Sequence, residues 1–228
     1  MSLVVIEGLD GSGKSTQVKM LKQFFESKNI PYRYIHFPRP ECPFYGELIS
    51  RFLRGDFGDI DQVDPYLVAL IYAGDRFDAK NQIVQWMNEG FLVLLDRYVF
   101  SNIAFQCAKM NTDEDVMRLR HWILDLEYNY NALPKPSINI FMDVPDEFTK
   151  MQLTSNRDGE DRAYLQGNID IHEKNLDFQA RVRKEYMEVM NLAENSVIIN
   201  CNENGAMLHP DLIAEKIQLL LKNKKIVS

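Results

Sequence analysis

Apolar residues recur along this chain in two registers. Short unbroken runs, Leu3-Val4-Val5-Ile6, Phe91 to Leu95, Ile138 to Met142 and Val197-Ile198-Ile199, stand between longer stretches whose apolar positions return every three or four residues. Runs of that length, rich in β-branched residues, predict strands of a parallel sheet buried on both faces, and the spaced stretches predict amphipathic helices. Val18, Leu21, Phe24 and Phe25 define the first helix, which Asn29 and Pro31 end. Tyr32 to Phe37 then alternates as a second strand and runs into Pro38-Arg39-Pro40. The two prolines deny the backbone a ladder position, so Arg39 is expected on a rigid loop at a strand's C-terminal end, the edge where α/β sheets bind ligands.

Phe44 to Leu53 predicts a short helix, and Asp64-Pro65 opens a long one that Gly90 closes. The first half of this helix, Tyr66 to Ala73, is apolar on nearly every side, so something must cover both faces. A single surrounding core and a partner subunit serve equally well at this stage. Val116, Leu119, Ile123, Leu126 and Tyr130 trace one face of a further helix. Phe148 to Leu153, Phe178-Val182-Tyr186-Val189 and Ile213-Ile217-Leu220-Leu221 mark three more, and Asn156 to Arg162 is a polar, highly charged loop. Five strands alternating with helices predict an α/β fold of three layers, a five-stranded parallel sheet flanked by helices, with residues 1–228 as one domain.

Composition narrows the function classes. With 46% hydrophobic and 26% charged residues the chain reads as an ordinary globular protein, and its net charge of -7 argues against general nucleic-acid binding, which needs a basic face. Cys42, Cys107 and Cys201 are far apart and form no metal or disulfide spacing, and the four histidines, His36, His121, His172 and His209, show no metal spacing either. No apolar run approaches the roughly 20 residues that span a bilayer, and the sequence opens on a strand, so that stretch is not expected to be a secretory signal. A cytoplasmic protein with no membrane partner is expected.

The chemistry begins where the first strand breaks. Gly8-Leu9-Asp10-Gly11-Ser12-Gly13-Lys14-Ser15-Thr16 carries the spacing of a phosphate-binding P-loop between an apolar strand and a helical pattern. Glycines at 8, 11 and 13 let successive N–H groups face one point, and the helix that follows adds its positive end. In that setting Lys14 would reach the β- and γ-phosphates of a bound polyphosphate, and the Ser15 hydroxyl would sit on Mg²⁺. A plain glycine turn is the rival reading, and the flanking strand and helix favour the phosphate loop. Asp96, at the end of a buried strand, is a second Mg²⁺ candidate, direct or through water. Arg97 and Arg39 both project from strand ends and make a plausible clamp on a second phosphate-bearing molecule.

Several segments together resemble the thymidylate kinase family over nearly the whole chain. They are Glu7 to Thr16, Phe37-Pro38-Arg39, Tyr72-Ala73-Gly74-Asp75-Arg76, Asp96-Arg97-Tyr98 with Ser101-Asn102-Ile103-Ala104-Phe105-Gln106, and the charged loop near 157. The resemblance implies the P-loop kinase fold with a lid segment at about 154–168, and transfer of the γ-phosphoryl of ATP to dTMP with Mg²⁺. It implies an acceptor site of Asp10, Phe37, Arg39, Tyr72, Arg76, Arg97, Ser101, Asn102 and Phe105. Asp10 would meet the acceptor near its sugar, Arg39 and Arg97 its phosphate, Tyr72 the thymine face, Arg76 a thymine carbonyl and Asn102 the base edge, while Phe105 would occupy the space of a ribose 2′-hydroxyl. Gly11 stands where some members place an arginine, so the arginine at the transferring phosphate is expected from Arg157 or Arg162 in the lid. Tyr72 stands where phenylalanine is commoner, and the spacing after Arg39 also differs. Family habit, with the apolar helix, implies a homodimer. A deoxynucleoside kinase and a non-catalytic nucleotide-binding regulator are the competing functions; the arginine pair argues against the first and the acceptor-side residues against the second.

Overall fold

The computed structural model of the protein describes residues 2–154, 165, 170–172 and 175–227. Five parallel strands, β1 (Leu3–Gly8), β2 (Tyr32–His36), β3 (Leu92–Asp96), β4 (Ile138–Asp143) and β5 (Ser196–Asn200), form one sheet in the order β2-β3-β1-β4-β5. The expected five-stranded parallel sheet flanked by helices is therefore present. Alternation along β1 explains its unbroken apolar run, because successive side chains enter opposite faces. Val4 and Ile6 pack with Val18, Leu21 and Phe25 of α1 (Lys14–Ser27) and Ile213, Ile217 and Leu221 of α8 (Pro210–Asn223). Leu3 and Val5 enter the opposite core, with residues of α3 (Pro65–Asn88), α4 (Val99–Cys107) and α7 (Leu176–Leu192).

The remaining elements are α2 (Tyr45–Arg54), α5 (Asp113–Leu124), α6 (Asp146–Thr154) and a two-stranded ribbon of β6 (Asn202–Glu203) and β7 (Ala206–Met207). Pro65 occupies the first turn of α3, where its missing N–H costs nothing, and the Asp64 carboxylate caps that turn by accepting from Tyr66 N at 2.8 Å. At the contact between α2 and α3, Gly74 leaves room for Tyr45. A Cβ there would lie 2.1 Å from the Tyr45 ring, so only glycine lets the two helices close.

One expectation changes, and two further helices depart from a simple amphipathic pattern. The face from Val116 to Tyr130 is not one α-helix: α5 ends at Leu124 and the chain widens into a π-helical turn over Asp125–Tyr130. Its Asn131 N–H reaches five residues back, to the Leu126 carbonyl. That wider turn breaks the 3.6-residue count and leaves Tyr130 85% exposed instead of on the buried face. The long helix α3 is covered on one side only among the described residues, with Leu67 and Leu70 exposed. Helix α4, buried from end to end, has no polar face and so gave no amphipathic signal.

Candidate active site

The C-terminal ends of β1, β2 and β3 open on a cleft of about 1160 Å³. Its walls include Asp10 to Thr16 of the phosphate loop, Phe37 and Arg39 after β2, Tyr72 and Arg76 of α3, and Asp96, Arg97, Ser101, Asn102 and Phe105 from the end of β3 into α4. The residues chosen from sequence within the described chain thus meet in one place, except Gly8 and Leu9, which enter the loop from behind. Gly8 has a positional reason: a Cβ on it would stand 2.8 Å from Ser12 Oγ. Gly11 and Gly13 turn the loop with φ of 75° and 82°, a region that side-chain-bearing residues rarely adopt. Arg157 and Arg162 lie outside the described residues, as does the lid segment apart from Thr154 and Leu165.

Lys14 Nζ donates to the carbonyls of Gly8 at 3.1 Å and Leu9 at 2.7 Å. Burial and then the nearby Arg97 charge push its ammonium down to about 8, against the pull of Asp96, Asp10 and Glu7. Arg97 sits on the sharp passage from β3 to α4 with φ of 67°, a conformation unusual for a residue with a side chain. Three bonds fix its guanidinium: Nη2 donates to Asp10 Oδ1 at 2.7 Å, and Nη1 donates to Ser101 Oγ at 3.3 Å and to the Tyr186 hydroxyl at 3.1 Å. Burial pushes the Asp10 carboxyl up, but the charges of Arg97 and Lys14 and the hydrogen bond from Gln179 outweigh that push and hold it below the usual carboxylate range.

Arg39 also faces the cleft, but two carboxylates of α3 engage it. Its Nε donates to Asp75 Oδ1 at 2.8 Å, and its Nη2 donates to the Asp75 carbonyl and to Asp78 Oδ2, both at 2.7 Å. A clamp on an acceptor phosphate would therefore rest on Arg97 and on the remaining Nη1 of Arg39.

Sequence reasoning missed several residues of this site. Glu7, fully buried at the end of β1, accepts from Ser101 Oγ at 2.5 Å, from the Tyr186 hydroxyl at 3.0 Å and from Tyr98 N at 3.0 Å. Burial raises its pKa, and the bonds and the Arg97 charge only partly oppose that rise. A carboxylate inside an apolar strand must find partners, and that was the signal available. Gln179 donates to the His172 carbonyl at 2.8 Å and reaches Asp10 Oδ2 at 3.4 Å. His172, given no role from the sequence, lines the cleft against Phe52, Phe105 and Phe178; burial, then Lys109, holds its imidazole well below its ordinary pKa. His36 lies 3.2 Å from Asp96 Oδ2.

Asp96 Oδ1 is a buried carboxylate oxygen with no hydrogen-bond partner among the described residues, and the exposed Ser15 hydroxyl lies on the same cleft. Two hard oxygen donors suit Mg²⁺. No group of three or more His, Cys, Asp or Glu gathers as a metal centre among the described residues.

A parallel sheet, a glycine-turned phosphate loop with its lysine, and a facing wall of arginine, asparagine and aromatic side chains define a P-loop nucleotide kinase. The thymidylate kinase family model matches residues 6–212. The chain is 27% identical over 213 residues to the probable thymidylate kinase of Pyrococcus abyssi, covering 92% of this chain and 93% of that protein. It is 32% identical over 167 residues to the probable thymidylate kinase of Pyrobaculum aerophilum, covering 72% and 76%. A solved thymidylate kinase from Candida albicans superposes with a TM-score of 0.73 at 25% identity, covering 98% of this chain and 92% of that one. The chain belongs to the thymidylate kinase family. It is accordingly an enzyme, one that phosphorylates dTMP with ATP.

Proposed function

We propose that phosphoryl transfer takes place in this cleft with the following division of roles. The loop from Gly8 to Thr16 receives the ATP phosphates on its backbone N–H groups, and Lys14 leaves the Gly8 and Leu9 carbonyls to meet the β- and γ-phosphates. Arg97, held by Asp10, Ser101 and Tyr186, and Arg39, held by Asp75 and Asp78, hold the acceptor phosphate in line. Tyr72 supplies a face for the base, Arg76 and Asn102 its edge contacts, and Phe105 closes the space beside the sugar. Ser15 and Asp96 would hold Mg²⁺. When bound, that cation neutralises charge on the transferring phosphates. Little covalent work falls to the protein, which aligns the two nucleotides and excludes water.

The observation that carries this reading is the convergence on one cleft of a P-loop with a second, arginine-based phosphate site and a base-sized wall. ADP release measured with dTMP, thymidine, dUMP, AMP or no acceptor tests it. Turnover with dTMP far above that with thymidine is expected; faster turnover with thymidine would overturn the phosphate roles of Arg39 and Arg97. Since Gly11 has no side chain, Arg157 and Arg162 are the candidates for the arginine at the γ-phosphate. Arg157→Ala or Arg162→Ala should then lower kcat severalfold to about a thousandfold.

The finer setting is also proposed. Leu67, Leu70 and Phe77 of α3 are 59%, 48% and 49% exposed, an apolar face suited to a second copy of the chain. A homodimer burying on the order of 1,600 Å² is expected there. Sedimentation showing only a monomer at micromolar concentration would remove it. No helix among the described residues is long and apolar enough to cross a membrane, and we place the enzyme in the cytoplasm.

A further inference from the structure

The π-helical turn brings one side chain to the base-facing wall from behind. Glu127, with 0% exposure, has both carboxylate oxygens engaged: Oε2 accepts from Arg76 Nε at 2.5 Å, and Oε1 accepts from Arg76 Nη2 at 2.6 Å and from Asn102 Nδ2 at 2.9 Å. The second proton of the Asn102 amide goes to the Ala69 carbonyl at 3.0 Å. Both partners of that amide nitrogen are oxygens that can only accept, so the orientation of the Asn102 side chain is dictated by chemistry. Reversed, its own oxygen would face two others. Asn102 Oδ1 is left buried with no hydrogen-bond partner among the described residues, and the Nη1 group of Arg76 likewise has none among them. Both residues line the cleft.

We propose that Glu127 sets the pyrimidine preference of the enzyme, by fixing the position from which Arg76 donates and by orienting Asn102 so that it presents an acceptor to the base. The proposal rests on the acceptor-site reading above and adds a residue that does not itself touch the substrate. A base offering a carbonyl oxygen next to a ring N–H, as thymine and uracil do at O4 and N3, matches the donor and acceptor pair. Cytosine offers an amino group and a bare ring nitrogen at the same places, and meets donor with donor and acceptor with acceptor. Glu127 is thus a positioning residue for specificity. The wide turn supports this placement, since π-helical turns recur where a helix must deliver a side chain to a functional site.

Steady-state kcat/KM for dTMP and for dCMP, measured on the wild-type protein and on Glu127→Gln and Glu127→Asp, tests the assignment. The amide in Glu127→Gln has one acceptor oxygen for three N–H groups and an NH₂ that can face Asn102, which leaves the Ala69 carbonyl alone to hold the Asn102 amide and lowers the cost of its reversal. The dTMP to dCMP ratio should fall at least tenfold, and Glu127→Asp, which keeps the charge on a shorter arm, should give an intermediate ratio. A merely structural role would lower both acceptors together, and an unchanged ratio in either folded variant overturns the proposal. If Glu127→Gln does not fold, the ratio of Glu127→Asp decides alone. A wild-type protein that phosphorylates dCMP as readily as dTMP would overturn the base-reading roles of Arg76 and Asn102 as well. A selective wild type with equally selective variants refutes only the part given to Glu127.

Discussion

Removing one oxygen from Tyr186 tests whether the bonds around Arg97 serve catalysis or merely packing. The ring stacks on Phe141 with centroids 4.7 Å apart and meets Phe105 edge-on, and Tyr186→Phe keeps both contacts. The hydroxyl accepts from Arg97 Nη1 at 3.1 Å, donates toward Glu7 Oε2 at 3.0 Å and lies 2.6 Å from Ser101 Oγ. Buried hydrogen bonds to charged partners contribute about 1.5–3 kcal/mol each, and two that share one network contribute less than their sum, so a stability loss of about 2–3 kcal/mol is expected. Arg97 keeps its bonds to Asp10 and Ser101, so one anchor of three is lost. A transition-state cost of about 1.4–2 kcal/mol follows, which lowers kcat/KM for dTMP about 10- to 30-fold. The ATP side of the cleft is untouched, and KM for ATP should hold. Coupled ADP-release kinetics with each substrate varied, beside denaturant unfolding, would measure both quantities. In an Arg97→Met background the same substitution should cost no further turnover. Unchanged kcat/KM for dTMP, or equal losses in the two backgrounds, would show that the hydroxyl does not act through Arg97.

Lys14→Ala should nearly abolish turnover while thermal unfolding shows an intact fold, since the side chain serves phosphate; a variant with full activity would remove the loop from the mechanism. Phe105→Ala should weaken discrimination against the ribose analogue of dTMP more than it weakens dTMP turnover, at a stability cost of about 3 kcal/mol or more, and an unchanged preference would mean the ring does not crowd the sugar. His172 gives a pH signature. Its folded pKa lies well below the ordinary 6.5, so the unfolded chain binds the extra proton first and stability falls as pH drops below about 6.5, by up to about 1.4 kcal/mol per unit until the folded group titrates. His172→Phe should lose correspondingly less stability than the wild type between pH 7.5 and 5.5, and equal losses would contradict a buried neutral imidazole.

What could be read from the chain was whatever is written contiguously. The phosphate loop needs a strand, a glycine pattern and a helix in immediate succession, and all three appear within Val4 to Thr16. Arg97, Asn102 and Phe105 follow one buried strand and share one short segment, so a local motif carries them. The residues behind them were silent because their partners are distant: Tyr186 meets Glu7 across 179 positions, and Glu127 meets Arg76 across 51. Each is one polar residue in an apolar setting, and periodicity records the setting without the partner. The same limit hid the ion pairs of Arg39, whose aspartates lie on a helix read only for its apolar side. Helix α4 was lost for the opposite reason, since burial on every side erases the contrast that marks a helix.

The place of β1 in the sheet has a consequence for how the protein is made. Of the five strands of the sheet it is made before the other four, yet it pairs on one side with Leu92–Asp96 and on the other with Ile138–Asp143. At about 5–20 residues per second, roughly 7 to 27 s separate the completion of β1 from that of its second neighbour. Until residue 96 is made Leu3, Val4, Val5 and Ile6 have both edges unpaired, and from there to residue 143 they have one, with no finished core to enter. The nascent chain is then most open to mispairing with other chains and to capture by chaperones. Rare-codon stretches between residues 8 and 143 should therefore lower the yield of active enzyme far more than similar stretches after residue 143, a difference that pulse-labelled synthesis followed by an activity measurement would reveal.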